Sequence, residues 1–100
     1  MSKVENRIKD LALVLPIAPE SGGNYVAAKT LGHIVYLAGV ISTASEGIIT
    51  GTIGLDRTVD QGYTAARACA LTQLAVLNRH LGSLDVVKSI ISVNGYVNAV

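Results

Sequence analysis

The stretch TVDQGYTAARACALTQLAVLNRHLG, residues 58–82, decides how the rest of the chain reads. Thr58 and Gln61 have the spacing of a capping box, in which each side chain satisfies the other residue's backbone N–H. Asp60 falls in the first turn, where the helix dipole favours negative charge. Val59, Tyr63, Ala66, Ala70, Leu74, Leu77 and Leu81 recur at helical spacing. They predict one apolar stripe on a helix running to about Leu81. Arg79 and His80 suit the negative C-terminal end, and Gly82 suits the left-handed cap just beyond.

Towards the N-terminus the pattern changes to strands. Ile48 to Gly54 reads as a strand with Gly51 inside it, which predicts a bulge or a close approach by another backbone. Thr43 to Gly47 reads as a short polar turn. His33 to Ser42 is a strand in which Ile34, Tyr36, Ala38 and Val40 point one way, and Val35, Leu37, Gly39 and Ile41 the other. Both faces are apolar, the mark of a strand covered on both sides. Gly32 gives a turn back to a first strand at Tyr25 to Thr30. Ile17 to Asn24, with Pro19, Gly22 and Gly23, reads as a loop. Before it, Ser2 and Glu5 have capping-box spacing. Val4, Ile8, Leu11 and Leu15 make a helical stripe that Pro16 ends.

On the other side of the long helix, Val86 to Val97 reads as a fourth strand. Asn94-Gly95 is the alternative, a two-residue hairpin turn. The continuous strand is preferred because few residues follow to make a return strand. The order is helix, three strands, long helix, strand: an α+β class, in one domain over 1–100.

Composition adds a constraint. Half of the 100 residues are hydrophobic and 15% are charged, against about 25% charged in an ordinary soluble domain. So short a chain has a thin core. Its surplus of Ala, Val, Ile and Leu predicts that a second chain covers part of the sheet. Eight Lys and Arg against seven Asp and Glu leave a net charge of +1. The basic residues are scattered, which argues against nucleic-acid binding. No apolar run approaches the ~20 residues that span a bilayer. The charged N-terminus is unlike a signal peptide, and the single Cys69 excludes an internal disulfide. The expected location is cytoplasmic.

Three motifs in this order resemble the RidA-like family, also called YjgF-like or endoribonuclease L-PSP-like. Gly23-Asn24-Tyr25-Val26 followed by Leu31-Gly32-His33-Ile34-Val35-Tyr36-Leu37-Ala38-Gly39 is similar to the family's tyrosine-bearing strand and hairpin. Gly51-Thr52-Ile53-Gly54 before the helix is the second. Ala65-Ala66-Arg67-Ala68-Cys69-Ala70-Leu71 through Leu81-Gly82-Ser83-Leu84-Asp85 and Val87-Lys88 is the third. The resemblance implies a chorismate-mutase-like fold assembled as a homotrimer, with clefts between subunits. It implies a small carboxylate-bearing ligand and, in competent members, hydrolysis of reactive enamines or imines derived from amino acids. No cofactor is expected.

The same resemblance marks departures. Family members continue for one more helix and one or two strands, so this sequence reads as C-terminally short. The arginine that clamps the substrate carboxylate, and the asparagine and acidic residue of the site, have no counterpart here. The family's hairpin serine is Ala38, and its following glutamine is Val40. Tyr25, Ala38 and Gly39 are therefore the candidate ligand-binding residues, with catalytic residues unassigned. Tyr25 either lines a cleft or packs with its hydroxyl in water.

Other chemistry-bearing residues have plainer readings. Arg67 suits a solvated helix face, and Cys69 an inert buried thiol. His33 reads as a turn residue and His80 as a dipole partner. Two lone histidines make no metal site. No G-x-G-x-x-G follows a strand, and there is no phosphate-loop lysine motif.

Overall fold

The computed structural model describes residues 3–20, 23–44 and 47–100. Its elements are α1 (Lys3–Asp10), β1 (Ala28–Leu31), β2 (Ile34–Leu37), β3 (Thr43–Ala44), β4 (Gly47–Ile48), α2 (Val59–Leu81) and a 3-10 turn at Leu84–Val86. This is a mixed α/β chain with two helices and short antiparallel strands. Helix α2 packs across β1 and β3.

Helix α2 has the ends its residues dictate. Thr58 Oγ1 accepts from Gln61 N at 3.1 Å, and Gln61 Oε1 accepts from Thr58 N at 2.8 Å. At the other end Gly82 is left-handed, with φ 82°, and donates to Asn78 O at 2.8 Å. Its covered face, however, is not the expected one. Val59 and Tyr63 are 76% and 72% exposed, and Ala66 and Ala70 are exposed too. The buried residues are Thr72, Ala75 and Val76. The smaller side chains win because they let the helix axis approach the strands. Leu74, Leu77 and Leu81 of the predicted stripe are only half-buried.

Helix α1 ends six residues before Pro16. Ala12 N donates to Lys9 O at 2.9 Å and Leu13 N to Ile8 O at 3.0 Å. That pair is a Schellman motif, and Ala12 supplies its left-handed residue at φ 56°. The helix is thus stopped by its own C-terminal bonding, and the proline is not needed. The capping box expected at Ser2 lies outside the described residues.

Strands β1 and β2 form a hairpin in which Ala28 faces Leu37 and Leu31 faces Ile34. Gly32, at φ 62°, makes the turn. A further bond from Ala38 N to Ala27 O, 2.9 Å, carries the pairing one step beyond the ladder. Both strands are shorter than their apolar runs. On β2, Val35 and Leu37 are half-buried, and Ile34 and Tyr36 are exposed. Only one apolar face of the strand is covered within the chain.

The third strand expected at Ile48 to Gly54 does not form as one piece. Thr43–Ala44 pairs with Gly47–Ile48, where a polar turn was expected; Ser45 and Glu46 lie outside the described residues. From Gly51 onward, local bonds replace a ladder. Thr52 O accepts from the backbone of Leu55, Asp56 and Arg57 at 3.1–3.2 Å. Asp56 Oδ1 accepts from Thr52 N at 2.7 Å. Aspartate competes with a ladder by offering the backbone such a bond. The close approach at Gly51 is by the Arg57 side chain: a Cβ there would lie 2.5 Å from Arg57 Cγ.

The fourth strand expected at Val86 to Val97 forms neither a ladder nor a hairpin at Asn94-Gly95. A bridge between Ile53 and Ala99 ties the end of the segment, with Ile53 N donating to Asn98 O at 2.9 Å and Val100 N to Ile53 O at 3.1 Å, and Asn98 Nδ2 donates to Gly51 O at 3.1 Å and to Thr52 Oγ1 at 3.0 Å. Ile90, Ile91, Val93, Tyr96 and Val97 are exposed. A strand needs a neighbouring edge, and none of the described strands offers one to this segment.

Candidate functional site

The tyrosine-bearing segment, the end of the hairpin and the middle of α2 meet at one point. Ala38 is held from two sides: its N–H donates to Ala27 O, and its carbonyl accepts from Gln73 Nε2 at 2.8 Å. Tyr25 sits just before β1, half-exposed at 50%. Gly23 passes close beneath its ring, where a Cβ would stand 3.4 Å from two ring carbons. Tyr25, Ala38 and Gly39 line a small depression with Ala27, Gln73 and Val76. Pro19 and Val40 complete it.

The depression is small, with a volume of about 30 Å³. It admits one functional group at its base. Its walls are aliphatic apart from Tyr25 and Gln73, and no charged side chain lines it. The three residues singled out from the sequence are therefore neighbours in space.

Gln73 was not singled out. It lies off the expected helix stripe and on the face that includes Cys69 and Val76. The signal in the sequence is a long amide inside the run Ala68 to Leu77. Nothing in periodicity shows that its amide reaches the hairpin.

A second concavity of about 350 Å³ lies beside the first, lined by Ala27, Ala28, Val76, Arg79 and His80. Both basic residues have tertiary work beyond the helix dipole. Arg79 Nη1 and Nη2 donate to the Ala18 and Pro19 carbonyls at 3.3 and 3.4 Å. This ties the loop to α2 and places Pro19 at the first depression. His80 Nε2 and Thr30 Oγ1 are 2.7 Å apart, which fastens the helix end to β1. Arg67 and His33 are exposed, and Cys69 is half-buried where full burial was expected. Among the described residues no group of three or more His, Cys, Asp and Glu could hold a metal ion, and no helix is long and apolar enough to cross a membrane.

Solved structures share the fold of this chain. The structure superimposes with a TM-score of 0.75 on a protein of Shewanella oneidensis provisionally described as an endoribonuclease. The two are 30% identical, over 80% of this chain and 54% of that one. A protein of unknown function from Agrobacterium tumefaciens superimposes with a TM-score of 0.69 at 34% identity, over 82% of this chain and 50% of that one. Likeness in sequence and backbone together goes beyond a shared fold. The chain is related to the RidA-like family.

Protein TCP17 of Trypanosoma cruzi is 34% identical to this chain over 98 residues, which are 97% of this chain and 61% of that protein. No protein-family model matches. The chain spans between half and about three-fifths of the length of these relatives.

Proposed function

We propose that residues 1–100 form a single RidA-like unit that binds a small molecule at Tyr25, Ala38 and Gly39, as one subunit of a cytoplasmic homo-oligomer. A trimer is the assembly its family resemblance points to. By itself the chain turns over its ligand weakly or not at all. One observation supports this reading: the three residues line one depression that no charged side chain enters.

The chemistry follows from that lining. Clamping a carboxylate calls for a preorganised cation, and arginine does this with a bidentate fork. Hydrolysing an imine calls for a positioned water and a group that moves a proton. Of the lining side chains, Tyr25 alone carries a titratable proton. A binding site is within the reach of such a set, and a complete hydrolase is not.

The second reading is an enamine or imine deaminase whose remaining groups come from a neighbouring copy or from further chain. It is favoured by the half-exposed Tyr25 at the edge of an open site. Ammonia release from freshly generated 2-aminoacrylate separates the two. The binding reading expects background rates from the 100-residue chain, unchanged by Tyr25→Phe. Clear turnover that Tyr25→Phe reduces would establish the deaminase instead.

A further inference from the structure

The concavity beside the Tyr25 depression sets two basic side chains against small aliphatic ones. Arg79 and His80 line it with Ala27, Ala28 and Val76, and its volume is about 350 Å³. Sites for small molecules run from about 300 to 1,000 Å³. Both basic residues are exposed, so a solute can meet them directly. Each is held in place by a neutral partner. Arg79 Nη1 and Nη2 donate to the Ala18 and Pro19 carbonyls at 3.3 and 3.4 Å. His80 Nε2 stands 2.7 Å from Thr30 Oγ1. Among the described residues no carboxylate pairs with either, and no acidic side chain lines the concavity. The negative helix end offsets roughly half a charge, which leaves the guanidinium in surplus.

We propose that this concavity is a phosphate site, taking inorganic phosphate or the phosphoryl end of a small ester. It goes beyond binding at Tyr25 and does not depend on it. The donors select the anion. A guanidinium carries five N–H donors. The loop carbonyls use one from each terminal nitrogen and fix the plane of the group, and the remaining donors have no partner among the described residues. The Thr30 hydroxyl can donate to Nε2 or accept from it. His80 therefore keeps that bond whether or not Nδ1 carries a proton. A carboxylate lies flat against one guanidinium fork, and both of its oxygens are then committed. A phosphoryl group adds an oxygen out of that plane, free to accept from His80 Nδ1. Ala27, Ala28 and Val76 bring no competing side-chain acceptor and leave room for a short ester body.

The test titrates the 100-residue chain with inorganic phosphate, methyl phosphate and acetate at constant ionic strength. Binding is read from the NMR signals of the Arg79 Nε–H, the His80 ring and the Ala28 amide. Phosphate should bind about tenfold more tightly than acetate, the worth of one added hydrogen bond to a charged group. His80→Ala should bring phosphate down to the level of acetate and leave acetate unchanged. Arg79→Gln should abolish binding of both anions. Arg79→Lys keeps the charge without the fork and should weaken phosphate about tenfold. It serves as the informative variant if loss of the loop bonds unfolds Arg79→Gln. Methyl phosphate binding as well as inorganic phosphate assigns the site to an ester, and its rejection assigns the site to the free ion. Tyr25→Phe should alter none of these affinities, which separates this site from binding at Tyr25. Absence of any shift with phosphate, acetate binding as tightly as phosphate, or phosphate shifts that persist in Arg79→Gln would overturn the proposal.

Discussion

At the scale of single residues, the chain holds several positions whose local energetics can be read directly. Ala12 occupies the left-handed position of the α1 Schellman motif at φ 56°, a conformation that costs a non-glycine residue roughly 1–2 kcal/mol. Ala12→Gly should relieve part of this, and amide exchange at Leu11 to Leu13 should slow several-fold. Thr58 is the reverse case, a residue already well chosen. Thr58→Ala removes the acceptor for the Gln61 N–H and should cost about 1 kcal/mol in urea unfolding. Thr58→Ser should cost much less. Both features are visible in the sequence for the long helix, because a capping box spans only four residues. For α1 the sequence names Pro16 as the stop, since nothing marks an alanine as left-handed until the helix is closed by its own carbonyls.

Between elements, long-range bonds to backbone groups do much of the fastening. The Asp85 carboxylate accepts from Lys3 N at 2.9 Å and Val4 N at 2.8 Å. It caps a helix more than 80 residues away in the chain. Helix α1 buries no residue, so it leans on this cap and on the 3-10 turn beside it. Asp85→Ala should weaken α1 by about 1 kcal/mol or more. Amide protection should drop from Val4 to Asp10 while α2 keeps its own. Val76 is the packing counterpart. It is 2% exposed and lies between both concavities. Val76→Ala should cost about 2 kcal/mol and disturb the Gly39 and His80 signals together. Neither role was legible beforehand. A helix wheel reports which side chains are apolar, and the strand that the helix meets decides which of them are covered.

At the scale of the whole molecule, surface is the governing quantity. The chain exposes 7791 Å², whereas a folded monomer of 10.4 kDa exposes about 5,400 Å². Its radius of gyration is 14.6 Å, against about 13 Å for a compact chain of this length. Exposed apolar side chains run along 86–100, the outer face of β2 and the first turns of α2. Contiguous exposed apolar patches of more than a few hundred Å² on a protein surface mark interaction sites. Light scattering on the purified 100-residue chain should show a defined multimer. A well-behaved monomer at micromolar concentration would remove the argument for assembly from excess apolar surface.

The residues themselves determined the long helix from Thr58 to Gly82 and the turn at Gly32. The grouping of Tyr25, Ala38 and Gly39 came from the resemblance to the RidA-like family. Caps and tight turns are settled by groups a few residues apart, so a reader of the sequence holds all the terms. The tertiary structure decided the rest. It turned α2 onto its small-residue face and replaced the third strand with a loop bonded to itself. It left the segment after Val86 without a ladder, and it brought the Gln73 amide across to Ala38. Each of these depends on whether a partner edge or surface stands opposite, and that is a property of the folded chain. The helix that the sequence shows most clearly is thus also the element whose working face it shows least.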